Sequence, residues 1–172
     1  MSRPVEPVTV TVELQPTPYQ LWSASYDYQA ALEGRDYAGA YDVTWPRIGQ
    51  IAQREQFYAI QKVFLFFDTS SIPTTAEVIS VTFKMSKCTR SENTPPFAVE
   101  FYRTEAPLPP TRADWLNYGG PLLGAFQTHD CGLWGGWHDV EVALAPQSIV
   151  RGGMTAYALI SDRVRLGLRP EP

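Results

Sequence analysis

The sequence has few of the residues that most often carry catalysis or bind metals. Its 172 residues include two histidines and two cysteines, and neither His129 and His138 nor Cys88 and Cys131 have the spacing of zinc ligands. It contains no Gly-Lys-Ser/Thr phosphate loop, no Gly-x-Ser-x-Gly elbow and no His-Glu-x-x-His helix. We therefore expect no catalytic residue, no cofactor and no metal site. We expect the cysteines to be thiols in a reducing compartment, with a disulfide as the alternative.

Long apolar runs and clusters of positive charge are also missing. The formal net charge is −4, and without a basic patch we expect no nucleic-acid partner. No stretch reaches the length of a membrane span, so we expect no membrane partner. Residues 1–7 lack the apolar core of a signal peptide, which predicts a protein kept in a cytoplasm or released by lysis.

Proline and glycine are abundant instead, with fifteen prolines and twelve glycines. Frequent turns of this kind suit short strands better than long helices. We predict an all-β protein, an antiparallel β-sandwich of the jelly-roll type, with seven to nine strands and one or two short helical turns. Residues 1–18 would form a Pro-rich arm with an edge strand, and residues 19–172 a single jelly-roll domain.

The strongest strand signal lies at residues 56–67, whose end is apolar at every position and therefore predicts a central strand covered on both faces. Further segments follow from alternation and turn signals. We predict strands near 26–30 and at 79–85, 97–102, 137–144, 155–161 and 165–169, helical turns at 111–117 and 146–151, and a loop at 37–49.

The arm contains a regular alternation of apolar and polar residues. Val8, Val10, Val12 and Leu14 alternate with polar side chains, which is typical of a half-buried strand. Prolines flank this segment on both sides, so we predict an edge strand or a detachable assembly arm.

Three segments, in order, carry a family resemblance. They are FLFFDTSSIP with AEVISVTFKM at residues 64–73 and 76–85, RADWLNYG at 112–119, and GWHDVEV, IVRGG and AYALISD at 136–142, 149–153 and 156–162. Together they resemble a family of non-catalytic jelly-roll domains, DNRLRE-like or carbohydrate-binding-module-like, found in phage structural proteins and secreted carbohydrate-active proteins. The resemblance implies a virion surface or tail component, or a carbohydrate-binding module. That family usually has one more strand at the C-terminal end, so we expect the arm or a neighbouring subunit to pair with the open edge.

Four aromatic residues are the candidate contact sites. Trp134 and Trp137 flank a Gly-Gly pair, and Trp115 and Tyr118 lie three residues apart on the predicted helical turn. Exposed rings of this kind stack on sugars or anchor protein interfaces. The alternative is that all four cover the core.

The leading hypothesis is a non-enzymatic virion structural protein, capsid-decorating or tail-associated, made in the host cytoplasm. It would assemble through its arm with other virion subunits or as a homo-oligomer. The alternative is a carbohydrate-binding module that binds glycan on an exposed aromatic platform. A hydrolase is a distant third, and its candidate carboxylates are Asp68, Asp114, Asp139, Glu141 and Asp162.

Overall fold

Two β-sheets of unequal size form the body of the protein. A computed structural model of the chain describes residues 8–53, 57–91, 95–133 and 136–170. The strands in these ranges are β1 (Thr17–Ser25), β2 (Tyr37–Asp42), β3 (Gly49–Gln53), β4 (Phe57–Asp68), β5 (Val81–Arg90), β6 (Ala98–Arg103), β7 (Gly119–Gln127), β8 (Gly132–Leu133), β9 (His138–Leu144) and β10 (Met154–Ser161). Two α-helices, α1 (Tyr28–Glu33) and α2 (Asp162–Arg165), and 3-10 turns at Arg112–Leu116, Thr128–Asp130 and Pro146–Ser148 join them.

The larger sheet has the order β2-β1-β4-β10-β6-β7, with β3 also paired to β4. The smaller sheet has the order β8-β5-β9. All pairs are antiparallel except the two-residue contact between β5 and β8. The predicted all-β class with antiparallel sheets and short helices is confirmed.

Strand β4 lies at the centre and is covered on both faces, as its sequence predicts. Val63 and Leu65 belong to the core between the two sheets, which also contains Phe101. Phe64 and Phe66 belong to a second core, on the other face of the large sheet, where Trp115 and the two α-helices pack. The alternation of these side chains places the small sheet on one face of β4 and a helical layer on the other.

The N-terminal segment departs from the prediction. Residues 8–16 form no strand in the structure, so the predicted edge strand with Val8, Val10, Val12 and Leu14 is wrong for the isolated chain. A β-ladder forms only where a neighbouring strand is available, and an exposed segment without one hydrogen-bonds to water instead. In the structure of the single chain, no described strand pairs with this segment.

Three further predictions were wrong for local reasons. Residues 26–30 enter helix α1 because the Asp27 side chain accepts a hydrogen bond from Ala30 N at 2.7 Å, which caps the first turn. Strand β2 lies in the predicted loop at 37–49, and helix α2 lies where a strand was predicted to begin at residue 165. Strand β7, which starts at Gly119, was not predicted.

The two cysteines are joined, so the expectation of thiols is wrong and the alternative holds. Cys88 and Cys131 form a disulfide with their Cα atoms 5.0 Å apart. The pairing follows from the topology, since Thr89 of β5 lies beside Gly132 of β8 and brings the preceding residues together. That Cα separation lies within the range that a disulfide bridges.

Within the described residues, no helix has both the length and the apolarity needed to cross a bilayer.

Candidate functional site

Two tryptophans from distant parts of the chain meet on the surface. The ring centroids of Trp45 and Trp137 lie 5.9 Å apart with the planes tilted by 40°. Trp45 is 63% exposed and Trp137 is 55% exposed. Because large aromatic side chains are on average well buried, two exposed indoles in contact form an unusual apolar surface that a ligand or partner can cover.

A buried glutamine fixes the loop that carries Trp45. The Gln20 side chain donates from Nε2 to the carbonyl oxygen of Arg47 at 2.7 Å and to that of Lys62 at 3.0 Å. Its Oε1 accepts a hydrogen bond from Arg47 N at 2.5 Å. Gln20 is fully buried, so these bonds tie the loop to the large sheet two residues beyond Trp45.

The loop that carries Trp137 is held where it begins, at Cys131 and Gly132. The disulfide fixes Cys131, and a side-chain carbon on Gly132 would lie 1.7 Å from the carbonyl oxygen of Gly136. Gly136 N donates to the carbonyl oxygen of Leu133 at 2.7 Å. Glycine at position 132 therefore permits the close backbone approach that places Trp137 next to Trp45.

The predicted aromatic residues occupy different environments. Trp137 is exposed and belongs to the tryptophan pair, and Trp134 lies outside the described residues. Trp115 is buried and Tyr118 is half-buried, so for Trp115 the alternative of a ring that covers the core describes its position. Sequence reasoning missed Trp45, for which the available signal was an aromatic residue followed by Pro46 in an irregular segment.

Trp115 and Tyr118 enclose a lysine in the second core. Lys62 is fully buried in β4, and its Nζ donates to the carbonyl oxygen of Trp115 at 3.0 Å. The same nitrogen lies 3.9 Å from the Trp115 ring centroid and 4.6 Å from the Tyr118 ring centroid. These contacts resemble a cation–π cage inside the protein.

Burial of Lys62 lowers its pKa from the ordinary 10.5 to about 7, because removal from water penalises the charged amine. Among the described residues, no carboxylate forms an ion pair with it. The neighbouring rings and carbonyl therefore compensate only partly for the lost hydration.

Tyr118 also lines a cleft of about 500 Å³ at the surface. Other residues around the cleft include Arg103, Glu105, Leu116 and Leu123. The Arg103 guanidinium donates to the carbonyl oxygens of residues 147 and 148, so its charge is used within the fold. The cleft is lined by both polar and apolar side chains.

The carboxylates weighed for hydrolysis mostly have structural partners. Asp68 accepts a hydrogen bond from Ser70 N at 2.9 Å, Asp114 accepts one from Thr111 N at 2.8 Å, and Asp139 accepts one from Lys87 N at 3.2 Å. Glu141 forms an exposed ion pair with Lys84 at 2.8 Å. The oxygen Oδ1 of Asp162 is buried and has no hydrogen-bond partner among the described residues. Across the described ranges, no three His, Cys, Asp or Glu residues cluster in a way that could hold a metal ion.

The arm presents a row of uncovered valines. Val8 is 85% exposed, Val10 is 72% exposed and Val12 is 49% exposed, whereas Leu14 is half-buried. The exposure thus falls steadily towards the body of the protein. Exposed β-branched residues at alternate positions have the pattern of a strand that lacks a partner.

No family model matches this chain, and no curated protein or solved structure matches it either.

Proposed function

We propose that the protein is a non-enzymatic structural component of a phage-like particle, decorating the capsid or associated with the tail, and that it works by protein–protein assembly. The observation that carries the proposal is the arm, whose alternate valines are exposed and which pairs with no strand among the described residues. The resemblance to DNRLRE-like domains supports a jelly-roll topology for residues 19–172 and a place on a virion.

The physical argument concerns what such an arm gains from a partner. An extended segment that adds to a sheet edge forms main-chain hydrogen bonds, and its alternate side chains fill apolar pockets. Full burial of one valine contributes about 1.5–3 kcal/mol. Burial of the exposed valines therefore offsets part of the cost of ordering the segment, about 1–2 kcal/mol per residue, and the main-chain hydrogen bonds add to that gain.

The proposed location is a virion that is made in a host cytoplasm and later released. The disulfide between Cys88 and Cys131 supports exposure to oxidising surroundings at some stage, because disulfides persist there and are rare in reducing compartments. Strand β1 begins at Thr17, two residues before the predicted boundary, and no strand precedes it among the described residues, which supports an arm followed by a domain.

The experiment compares two double variants of the full chain by size-exclusion chromatography with light scattering. Val10→Asp with Val12→Asp places charge on the apolar side of the arm, and we expect it to abolish the oligomer. Thr9→Asp with Thr11→Asp adds the same charge to the other side, and we expect it to retain the oligomer. A wild-type chain that stays monomeric at every concentration, alone and with particle proteins, would overturn the proposal.

A second candidate function is glycan binding, and the tryptophan pair favours it. Indole faces stack on the apolar faces of sugars, and Trp45 and Trp137 offer two such faces on fixed loops. In this case the exposed pair is a platform for a polysaccharide chain. The two functions are compatible, since a virion surface protein can bind glycan on one side and its own particle on another.

A further inference from the structure

The small sheet has an edge that the described residues leave without a partner. Strand β5 pairs with β9 from Val81 to Met85 and again at Cys88, and it meets β8 only at Thr89 and Arg90. On the side away from β9, no described strand pairs with the first half of β5. A row of free N–H and C=O groups of this kind is a template for another strand.

The core beside this edge is incompletely covered. Val81, Phe83 and Met85 pack against the core between the sheets, yet each remains only partly buried. Their opposite neighbours on β9, such as Val142 and Leu144, are buried. An additional strand next to β5 would cover the exposed flank of this row.

The arm has the pattern that this edge requires. Its valines lie at even positions, and Thr11 and Glu13 lie on the other side of the segment. On β5, apolar side chains likewise alternate with polar ones, among them Lys84. With the valines of the arm beside Phe83, Glu13 would lie on the outer face with Lys84, where opposite charges stabilise a cross-strand pair.

The electrostatics of the single chain already relate these two residues. The charge of Glu13 adds to that of Glu141 in raising the pKa of the exposed Lys84 amine. The arm nevertheless forms no ladder with its own β5, and its exposure increases from Leu14 to Val8.

We propose that the arm of one copy pairs with the open edge of β5 in a second copy, with the reciprocal contact closing a two-fold dimer. This inference rests on the proposed assembly function and names the partner and the docking surface. The arm of the same chain forms no ladder with this edge, whereas exchange between two copies covers both arms and both edges at once. Isologous exchange of identical elements is a low-cost route to a closed dimer.

A charge-exchange experiment on full-length chains tests the docking site. In Glu13→Lys alone or Lys84→Glu alone, both contacts of a homodimer bring like charges together. Since loss of an opposite-charge cross-strand pair costs about 0.2–1 kcal/mol and the dimer has two such contacts, we expect dissociation constants roughly twofold to thirtyfold higher than for wild type at low salt. When the two single variants are mixed, both contacts of the mixed dimer regain opposite charges, and we expect this heterodimer to dominate in native mass spectrometry.

The control is Lys87→Glu, which makes the same charge change on β5 at an exposed position beyond the proposed register. Mixed with Glu13→Lys, it should give no excess of heterodimer. Lys84→Glu also removes the ion pair between Lys84 and Glu141. A thermal melt of each variant must therefore show a folded chain before its oligomeric state is compared.

The outcomes separate this inference from the function on which it rests. An oligomer that is lost in Val10→Asp with Val12→Asp but shows no heterodimer preference would keep the assembly function and overturn β5 as the docking site. Rescue by Glu13→Lys with Lys84→Glu in one chain, without rescue on mixing, would place the arm on its own β5 and overturn the exchange. A wild type that is monomeric alone but binds particle proteins would overturn the exchanged dimer and keep the assembly function.

Discussion

The Lys62 ammonium lies 3.9 Å from the centroid of the Trp115 ring, and both side chains are buried beneath the helical layer of the large sheet. The same tryptophan donates from its indole Nε1 to the carbonyl oxygen of Leu32 at 2.8 Å, at the end of helix α1. Trp115 thus joins β4, α1 and the 3-10 turn at Arg112–Leu116. Any change in the charge of Lys62 acts directly on the contact that holds these elements together.

We predict that the stability of the protein rises with pH between about pH 7 and pH 10 because of Lys62. Its pKa is lowered to about 7 in the folded protein from an ordinary 10.5. In that window the unfolded chain binds the proton and the folded chain does not, so the free energy of unfolding increases with pH by at most about 1.4 kcal/mol per unit. Below pH 7 both states are protonated, and the full cost of burying the charge is present.

Urea denaturation of Lys62→Met at pH 6, 7, 8 and 9 checks this prediction. The variant should lose the slope and be more stable than wild type at pH 6, although the Trp115 carbonyl oxygen loses its donor at a cost of about 1–3 kcal/mol. The exposed Lys84→Met is the control and should keep the slope. Measurements stop at pH 9 because burial raises the pKa of Tyr118 and Tyr157, which reverses the slope above about pH 10. A wild type with equal stability at pH 6 and pH 9 would contradict the prediction.

We predict that Gly34→Ala destabilises the protein by more than backbone strain alone. Gly34 ends helix α1 with φ at +71°, and a side-chain carbon there would lie 2.6 Å from Cδ1 of Trp115. Gly120 also has a positive φ, +81°, but open space around it. Gly120→Ala should therefore cost about 1–2 kcal/mol from the left-handed conformation, and Gly34→Ala clearly more. Thermal melts compare the stability lost in the two variants. Equal losses would contradict the prediction and mean that Trp115 moves freely to make room.

The parts of the fold that the sequence predicted have their determinants close together in the chain. Strand β4 is apolar on both faces over residues 63–67, and this local pattern alone predicts that the strand is buried. The 3-10 turn after Thr111 begins where Asp114 accepts hydrogen bonds from Thr111 N and Oγ1, a signal contained in four residues. Strand β2 has no such local signal. Its Gly39 leaves room for Trp22 of the neighbouring strand β1, a requirement that comes from the tertiary contact and not from residues nearby in the sequence.

The candidate site depends on contacts that no local pattern contains. Trp45 and Trp137 meet because Gln20 fixes one loop and the disulfide fixes the other, and both are decided by the tertiary arrangement. In the sequence, Lys62 is one polar residue within a predicted strand. Its burial follows only once Trp115 is placed above β4. Sequence reasoning could therefore propose exposed aromatic residues as a class but could not select the pair.

We predict that removal of the disulfide destabilises the protein and loosens the loop before β9. Cys88 and Cys131 are separated by 43 positions, and cross-linking a loop of this length restricts the unfolded chain by about 4 kcal/mol in the entropy model. Cys88→Ala with Cys131→Ala should lower the free energy of unfolding by up to about this amount. Urea denaturation of the double variant, with dithiothreitol-treated wild type as its match, measures the loss. Equal stability with and without dithiothreitol, after mass spectrometry has verified reduction, would contradict it.

We predict that Trp45→Ala and Trp137→Ala each weaken retention of the protein on insoluble polysaccharide, if glycan binding is one of its functions. Loss of one ring removes half of the stacking surface, and an aromatic contact of this type contributes about 0.5–1.5 kcal/mol beyond area burial, which corresponds to roughly a two- to thirteenfold weaker affinity. Tyr26→Ala is the control, because Tyr26 is 65% exposed and contacts Phe57 rather than the tryptophan pair. Affinity electrophoresis across a panel of polysaccharides measures retention. Wild type that migrates unretarded on every polysaccharide would exclude the glycan function and leave the pair as a protein contact. Equal losses of retention in all three variants would show that the pair has no special role.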